Sequence, residues 1–481
     1  MSGWLLMGVP GSVYLFGISQ SWIAIGLTIG AYLNWQLVAA RLRVYTEKAH
    51  NSLTLPDYFT HRFEDKGNLL RIIAAVVILI FFTIYCASGV VAGARLFENT
   101  FHMDYETALI IGAAATILYV FIGGFLAVSW TDTIQASIMC IALVVTPIAV
   151  CMDAGGFFES IEQIRSINPK MLDIMEGQTA VGIISLLAWG LGYFGQPHIL
   201  VRFMAAKSIA VIPNARRVGI IWMIFCLAGA IGVGFFGAAY FSLHPADAGL
   251  VQENNERVFI VLSSLLFNPW IAGLLMSAIL AAVMSTLSCQ LLVCSSTLTE
   301  DFYHTFVRPK ASQRELVWFG RSMVLLISVL AIWLASDPES LVFSLVSYAW
   351  AGFGAAFGPV ILLSLWWSRM TRNGALAGIV TGAATVLVWN HFAWFGLYEI
   401  LPGFVFASIA IVVVSLLDKA PSKAVAERHE SVLAEFRRLE AETRAESALG
   451  PAARPMLRVC STLNGNVAAK RIFQTASRTF C

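Results

Sequence analysis

Residues 276–299 read MSAILAAVMSTLSCQLLVCSSTLT, an apolar stretch that contains eight hydroxyl side chains and no charge before Glu300. Its length and composition predict a helix that crosses a membrane, because about 20 apolar residues span the hydrocarbon of a bilayer. Hydroxyl groups inside a membrane either hydrogen-bond neighbouring helices or supply oxygen ligands to a cation that has shed its water. The first role is typical of a membrane scaffold, and the second is typical of an ion-coupled transporter.

Similar apolar runs recur along the chain. Hydrophobic residues make up 58% of the sequence and charged residues 12%, whereas a soluble domain has about 25% charged residues. These runs predict an all-α polytopic membrane protein with about eleven full transmembrane helices and a partial first one. They lie at residues 1–16, 21–40, 70–94, 106–126, 133–152, 180–204, 218–241, 270–294, 318–335, 341–367, 375–394 and 401–417.

The basic residues of the connecting loops predict the orientation of the chain. Lys and Arg are concentrated in alternate loops, of which residues 41–71 form the first, and the tail after Leu417 follows the same alternation. Because cytoplasmic loops carry an excess of Lys and Arg, these loops and the C-terminus are predicted to be cytoplasmic.

The last part of the chain has a different character. The membrane unit is predicted to end near Pro421, and residues 421–481 are predicted to form a cytoplasmic tail. Residues 426–449 are charged with spaced apolar side chains, which predicts an amphipathic helix. After Gly450 there are basic but no acidic residues, and we expect disorder there. The eight cysteines contain no CxxC motif, and we interpret them as apolar packing residues.

Two of the predicted spans are interrupted by glycine and proline, namely the first span and the stretch AWGLGYFGQP at residues 188–197. Each is the first member of a set of five spans. Many secondary transporters contain two inverted repeats of five helices whose interrupted members line a binding site at the middle of the membrane. We therefore predict a first repeat at residues 1–153, a second at 179–369, and two additional helices at 370–420.

Several longer motifs carry a specific resemblance. Over residues 1–421 the chain resembles the sodium/solute symporter family. The motifs include SGWLLMG at 2–8, FFTIYCASG at 81–89, FIGGFLAVSWTDT at 121–133, WGLGYFGQPHIL at 189–200 and VSYAWAGFGAAFGP at 346–359.

The resemblance implies an inverted-repeat fold of five plus five helices and a secondary transporter of the bacterial inner membrane. It implies import of L-proline by alternating access, with Na⁺ as the coupling ion and no cofactor. Proline, Na⁺ and membrane lipids are the expected partners. An enzyme or a nucleic-acid-binding protein is not expected.

The resemblance also implies residues that the chain would normally have before Met1. Family members begin with another helix and with the first half of the discontinuous helix, including an aspartate before this methionine. We therefore expect a chain truncated at its N-terminus, and a transport-impaired sensor or scaffold stays open as an alternative. A symporter for another small solute, such as a sugar or pantothenate, is a further alternative.

For Na⁺, the resemblance implies a site between the first span and the helix at residues 276–299. Ser285 and Thr286 would supply side-chain oxygens, and Ala282 and Met1 would supply backbone carbonyls. Ala282 lies three and four residues before the two hydroxyls, so all three share one helical face. The other hydroxyls of this helix, such as Ser288, are expected to bond the preceding turn or a neighbouring helix instead.

For proline, the resemblance implies a pocket at the unwound helix ends. Ser2 and Gly3 would place free backbone N–H groups near the carboxylate. Tyr85, Trp189 and Tyr193 would enclose the ring and attract the ammonium through cation–π contacts. Trp4 is a weaker candidate for the same pocket.

Asp132 and Pro197 are candidates for an ion pathway or gate. Asp132 falls between two predicted spans, where the sequence favours a short cytoplasmic turn with Asp132 capping the next helix over a role in an ion pathway. Pro197 and Gly195 are expected to loosen the helix end beside Tyr193. We interpret His198 and Arg202 as interfacial charges at the same end.

Overall fold

The computed structural model describes residues 2–49, 51–52, 54–175 and 178–448, and every regular element in these residues is helical. The first half contains α1 (Gly3–Leu6), α2 (Gly8–Phe16), α3 (Ser21–Asn34), α4 (Ala40–Lys48), α5 (Leu55–Phe63), α6 (Leu69–Phe101), α7 (Tyr105–Asp153), α8 (Phe157–Ile167), α9 (Ala180–Leu187) and α10 (Pro197–Met204). The second half contains α11 (Ile212–Leu243), α12 (Gly249–Glu253), α13 (Val258–Leu266), α14 (Pro269–Ser296), α15 (Gln313–Leu334), α16 (Val342–Trp366), α17 (Arg372–Phe392), α18 (Ile400–Leu417) and α19 (Lys423–Ala448).

Short segments of other helix types connect several of these elements. 3₁₀ turns occupy Gly17–Gln20, Pro169–Leu172, Ala188–Phe194, Ile209–Val211, Pro245–Asp247, Asn255–Arg257 and Trp394–Gly396, and π-helical turns occupy Trp35–Ala39 and Thr297–Val307.

The predicted membrane architecture is confirmed. Nine helical stretches among the described residues are long and apolar enough to cross a membrane. One of them, Gly3–Lys48, contains the first two predicted spans. Two further predicted spans correspond to the shorter apolar helices Tyr105–Leu118 and Ala180–Phe194.

Both predicted helix interruptions are present. The first lies at Met7, whose φ of −122° and ψ of −60° separate α1 from α2. The second follows the 3₁₀ segment Ala188–Phe194, and Gln196 is extended (φ −74°, ψ 110°) before Pro197 begins α10. Pro197 fits there because the first turn of a helix needs no N–H donor.

Glycine allows α3 to pack closely against the second interrupted region. A Cβ on Gly30 would collide with the backbone of Gly190, and a Cβ on Gly26 would collide with the backbone of Leu187. These close approaches fix the 3₁₀ segment, and with it Trp189 and Tyr193, against α3.

The structure corrects one prediction in this part of the chain. The backbone of α7 is helical through Asp132, so the short turn and the helix cap predicted there are wrong. The carboxylate is instead neutralised from the side, because Arg202 of α10 lies 2.7 Å from it. An ion pair of this kind allows an acidic residue to remain inside a continuous helix.

The amphipathic tail helix is confirmed as α19, which begins three residues before the predicted start. Its Val432 is only 2% exposed and belongs to the hydrophobic core. Arg428 donates to the backbone carbonyl of His61 (2.8 Å) and pairs with Glu64 of the α5 end (3.3 Å). Residues 449–481, for which we expect disorder, lie outside the described residues.

Candidate binding site between the interrupted helices

A cavity of about 340 Å³ lies between the two interrupted helices and α14. Its wall brings together most of the residues predicted to bind the two ligands. They are Ser2, Tyr85, Trp189, Tyr193, Ser285 and Thr286, and Trp4 lines it as well. These residues come from four separate parts of the chain, and the fold brings the four parts together.

The hydroxyls of α14 divide into two classes. Ser285 and Thr286 face the cavity. Ser288 Oγ instead donates to the Ser285 carbonyl (3.1 Å), and Ser295 Oγ donates to the Gly320 carbonyl of α15 (2.7 Å). The structure therefore places the adjacent pair on the cavity wall and the hydroxyls of Ser288 and Ser295 on backbone carbonyls.

The N-terminal end of α1 lies against α6 and α14. A Cβ on Gly3 would lie 2.7 Å from Ala92 Cβ and 3.4 Å from Val283 Cγ2, so glycine is what permits this approach. Ser2 precedes α1 in an extended conformation, and the Ser2 side chain is within hydrogen-bonding reach of the Tyr85 hydroxyl. The first N–H groups of a helix have no acceptor within it.

A third predicted Na⁺ ligand, Ala282, does not line the cavity. Ala282 is buried one turn before Thr286, so only its backbone carbonyl can take part in a site. Met1 lies outside the described residues.

Four stacked aromatic rings close one side of the cavity. Trp189 lies at the centre, with ring centroids 5.0 Å from Trp4, 5.5 Å from Phe343 and 5.3 Å from Tyr398. Phe343 lies in the first turn of α16 and Tyr398 lies just before α18, whose other end leads into α19. The aromatic cluster therefore lies on the side of the bundle opposite α19.

The backbone of the 3₁₀ segment is held by polar side chains. Trp350 Nε1 donates to the Trp189 carbonyl (2.8 Å), and Asn34 Nδ2 donates to the Tyr193 carbonyl (3.0 Å). The Trp350 ring also meets the Tyr193 ring edge-on at 5.1 Å. Trp350 lines the cavity, and the sequence did not single it out.

The cavity extends toward the α19 side, where Arg202 and His198 line it. Arg202 Nη2 lies 2.7 Å from Asp132 Oδ2 and 2.7 Å from Cys289 Sγ. The interpretation of His198 and Arg202 as interfacial charges is therefore incomplete, because both contribute to the cavity wall. Cys289, which we took as a packing residue, lies four residues after Ser285 on the same face, and that spacing was the available signal.

A second cavity of about 90 Å³ adjoins the first on the α19 side. It is lined by Pro197 as well as by His198, Arg202 and Cys289, which also line the larger cavity. Pro197 therefore lines this second cavity, and Asp132 lies next to it through the ion pair with Arg202. Residues of a gate are expected in such a position.

Opposite α19, a buried carboxylate holds the start of α16. Glu256 is 1% exposed and accepts the backbone N–H groups of Val342 (2.8 Å) and Phe343 (2.7 Å). Burial raises the pKa of Glu256 to about 7, although these two hydrogen bonds and Arg95 oppose the shift. Because Phe343 belongs to the aromatic cluster, Glu256 fixes one member of the closed side. No sequence pattern around Glu256 predicts this role.

Comparison with known proteins agrees with this architecture. The family model described as "Sodium:solute symporter family" matches residues 1–382. The chain is 68% identical to the "Sodium/proline symporter" of Escherichia coli (strain K12), covering 89% of this chain and 85% of that protein. It is 51% identical to the "High-affinity proline transporter PutP" of Bacillus subtilis (strain 168), covering 89% and 90%.

A solved structure shows the same fold. The substrate-bound, outward-open state of a Na⁺-coupled sialic acid symporter superimposes with a TM-score of 0.73 at 17% identity, covering 88% of each chain. The predicted fold class, an inverted-repeat sodium-symporter fold, is thereby confirmed. The family model and the close relatives together show that this chain belongs to the sodium:solute symporter family.

Proposed function

We propose that this protein imports L-proline across the bacterial inner membrane, driven by Na⁺ and by alternating access. One observation carries the proposal. A single cavity joins the paired hydroxyls of Ser285 and Thr286 to the aromatic side chains of Tyr85, Trp189 and Tyr193. The names of the close relatives, a sodium/proline symporter and a proline transporter, support proline as the solute.

Ser285, Thr286 and Ala282 are the proposed Na⁺ ligands, together with the carbonyl of Met1. Na⁺ is a hard cation, and oxygen atoms are the ligands that hard cations prefer. Helical spacing supports the set, because the Ala282 carbonyl and both hydroxyls lie on one face of α14. A partly dehydrated ion there would join α14 to the end of α1.

Proline would bind between α1 and the 3₁₀ segment. Its carboxylate would meet the N–H groups of Ser2 and Gly3, which have no acceptor inside α1. Its ring would lie on Trp189 and Tyr193, whose π-faces also attract an ammonium by about 0.5–2 kcal/mol. Tyr85 would complete the enclosure from α6.

The shape of the cavity supports an inward-facing state. The aromatic cluster and Glu256 close the side opposite α19, and the cavity reaches toward the side that carries α19. The basic loops predict that the α19 side is cytoplasmic. Opening the cluster and closing the region of Asp132, Pro197 and Arg202 would expose the same site to the other side.

Coupling would follow from the shared position of the two ligands. If Na⁺ stabilises the arrangement of α1 and α14 that binds proline, each ligand raises the affinity for the other by the same factor. A Na⁺ gradient can then drive the accumulation of proline.

Transport into proteoliposomes tests the proposal. Radiolabelled proline should accumulate when a Na⁺ gradient is imposed and not when K⁺ replaces Na⁺. Unlabelled proline should compete, whereas glucose and pantothenate should not. Uptake that is equal in Na⁺ and K⁺, or competition by glucose or pantothenate as strong as that by proline, would overturn it.

A further inference from the structure

A fully buried arginine lies beneath α19 without a carboxylate. Arg62 of α5 has no exposed surface, and its Nε donates to the Ser364 carbonyl of α16 (3.0 Å). Its two terminal nitrogens, Nη1 and Nη2, are buried and have no hydrogen-bond partner among the described residues. A buried charge without a partner costs several kcal/mol, so a guanidinium in this position calls for a counter-charge.

Two more buried polar side chains share the space around Arg62. The Tyr45 ring of α4 lies 5.4 Å from the guanidinium carbon, and the His429 ring of α19 lies 6.0 Å from the Tyr45 ring. Each side chain is 1% exposed. The Tyr45 hydroxyl and both ring nitrogens of His429 also have no partner among the described residues. Three elements therefore bring buried polar atoms without a hydrogen-bond partner close to one another.

The nearby acids are already paired with other cations. Glu64 pairs with Arg428 (3.3 Å), and Asp65 pairs with Arg372 (2.7 Å). Burial, together with the charges of Arg62 and of Arg41 on α4, lowers the pKa of His429 to about 4. Glu440 acts on Arg41 and offsets part of its charge. The region is thus electropositive, and its neutral histidine can donate one N–H.

From these contacts we infer a binding site for a small inorganic anion of the chloride class, enclosed by Arg62, Tyr45 and His429. The guanidinium would supply the charge and up to four N–H donors, and the tyrosine and histidine would each supply one more. Hydrogen bonds to charged groups are stronger than neutral ones, so an anion gains most from such a set. Enclosure favours a monatomic ion, because all three side chains are at most 1% exposed.

The site would connect the tail helix to the membrane core. Arg62 holds α16 through Ser364, Tyr45 belongs to α4, and His429 belongs to α19. An anion between them would attach α19 to both helices. Its binding should therefore stabilise the folded protein in proportion to RT ln(1 + [anion]/Kd). The inference does not depend on which solute the protein carries.

Thermal unfolding of the purified full-length protein tests the site. Tm should rise and then saturate as chloride replaces gluconate at constant Na⁺ and constant ionic strength. His429→Phe and Tyr45→Phe, which keep a ring but remove the donors, should each weaken the chloride effect about tenfold. Arg438→Gln is the control on the same helix: it breaks the exposed pair with Glu435 (2.6 Å) and should leave the chloride dependence of Tm unchanged.

Direct binding makes the result decisive. Equilibrium dialysis with radioactive chloride should show saturable binding to the wild type and weaker binding to His429→Phe. A wild-type Tm that is equal in chloride and gluconate, with no bound chloride, would overturn the proposal in favour of ordered water. Stabilisation by phosphate but not by chloride would overturn the assignment to a monatomic ion.

Discussion

The guanidinium of Arg202 lies 2.7 Å from the carboxylate of Asp132 and so joins α10 to α7 at the α19 end of the cavity. Half of the Arg202 side chain is exposed there, so solvent reaches one side of the pair. Cys289 of α14 contacts the same guanidinium nitrogen. The helices α7, α10 and α14 therefore meet at one ion pair at this end of the cavity. This is the arrangement expected of a gate.

Asp132→Asn should slow proline uptake and raise the Na⁺ concentration needed for half-maximal uptake. The increase should be about fivefold, because a partly exposed ion pair contributes up to about 1 kcal/mol. Initial rates in proteoliposomes measure both effects. Glu162→Gln is the matched control, because Glu162 forms an exposed pair with Arg165 (2.6 Å) far from the cavity. Equal behaviour of the two variants would contradict the gate.

Replacing the paired hydroxyls of α14 should weaken the binding of Na⁺. Ser285→Ala and Thr286→Ala each remove a proposed oxygen ligand, and together they should raise the Na⁺ requirement for proline binding at least about tenfold. Ser288→Ala, whose hydroxyl bonds the backbone of the same helix, should change it little. Equal effects of the three changes would rule out the assigned ligands.

Trp189→Ala should weaken proline binding, because the variant loses both the aromatic face and its stacking on Trp4 and Tyr398. A cation–π loss of about 0.5–2 kcal/mol corresponds to roughly 2- to 30-fold in the dissociation constant for proline. Isothermal titration at saturating Na⁺ measures it. Trp333→Ala serves as control, because Trp333 of α15 is 70% exposed and does not line the cavity. An unchanged proline affinity in Trp189→Ala would remove this residue from the site.

Glu256 should make closure of the side opposite α19 dependent on pH. Its pKa is raised from 4.5 to about 7 in the closed structure, so burial disfavours the charged carboxylate. The closed state is therefore stabilised fully below pH 4.5, and that stabilisation is lost as the pH rises through about 7. Arg95 faces this carboxylate and partly offsets the effect.

Alkylation of a cysteine placed at Phe343 reports that opening. The rate of labelling by a membrane-impermeant maleimide should rise between pH 6 and pH 8. This rate is first corrected for the pH dependence of thiol reactivity, measured on a free peptide. The additional change Glu256→Gln should flatten the corrected curve. A corrected curve that is the same with and without Glu256→Gln would contradict the role of this carboxylate.

The membrane spans and both helix interruptions could be predicted because they depend on local composition. A run of about twenty apolar residues predicts a membrane span. The residues around Gly195 and Pro197 cannot continue a regular helix. The distinction between Ser285 and Thr286 on one side and Ser288 on the other came from the resemblance to the family, because helical spacing alone places Ser285 and Ser288 on the same face.

The contributions of Trp350 and Glu256 could not be predicted, because they depend on how distant helices are rotated against each other. Trp350 reaches the Trp189 carbonyl across 161 residues of sequence. The turn predicted at Asp132 was wrong for the same reason. Only the position of Arg202 in space shows that the acid is neutralised inside a helix.

Equilibrium binding of radiolabelled proline to the purified full-length protein tests the central claim most directly. Sodium chloride and potassium chloride would be compared at equal concentration, so that only the cation changes. The account predicts that proline affinity rises with Na⁺ and does not respond to K⁺. The same proline affinity in both salts would contradict it.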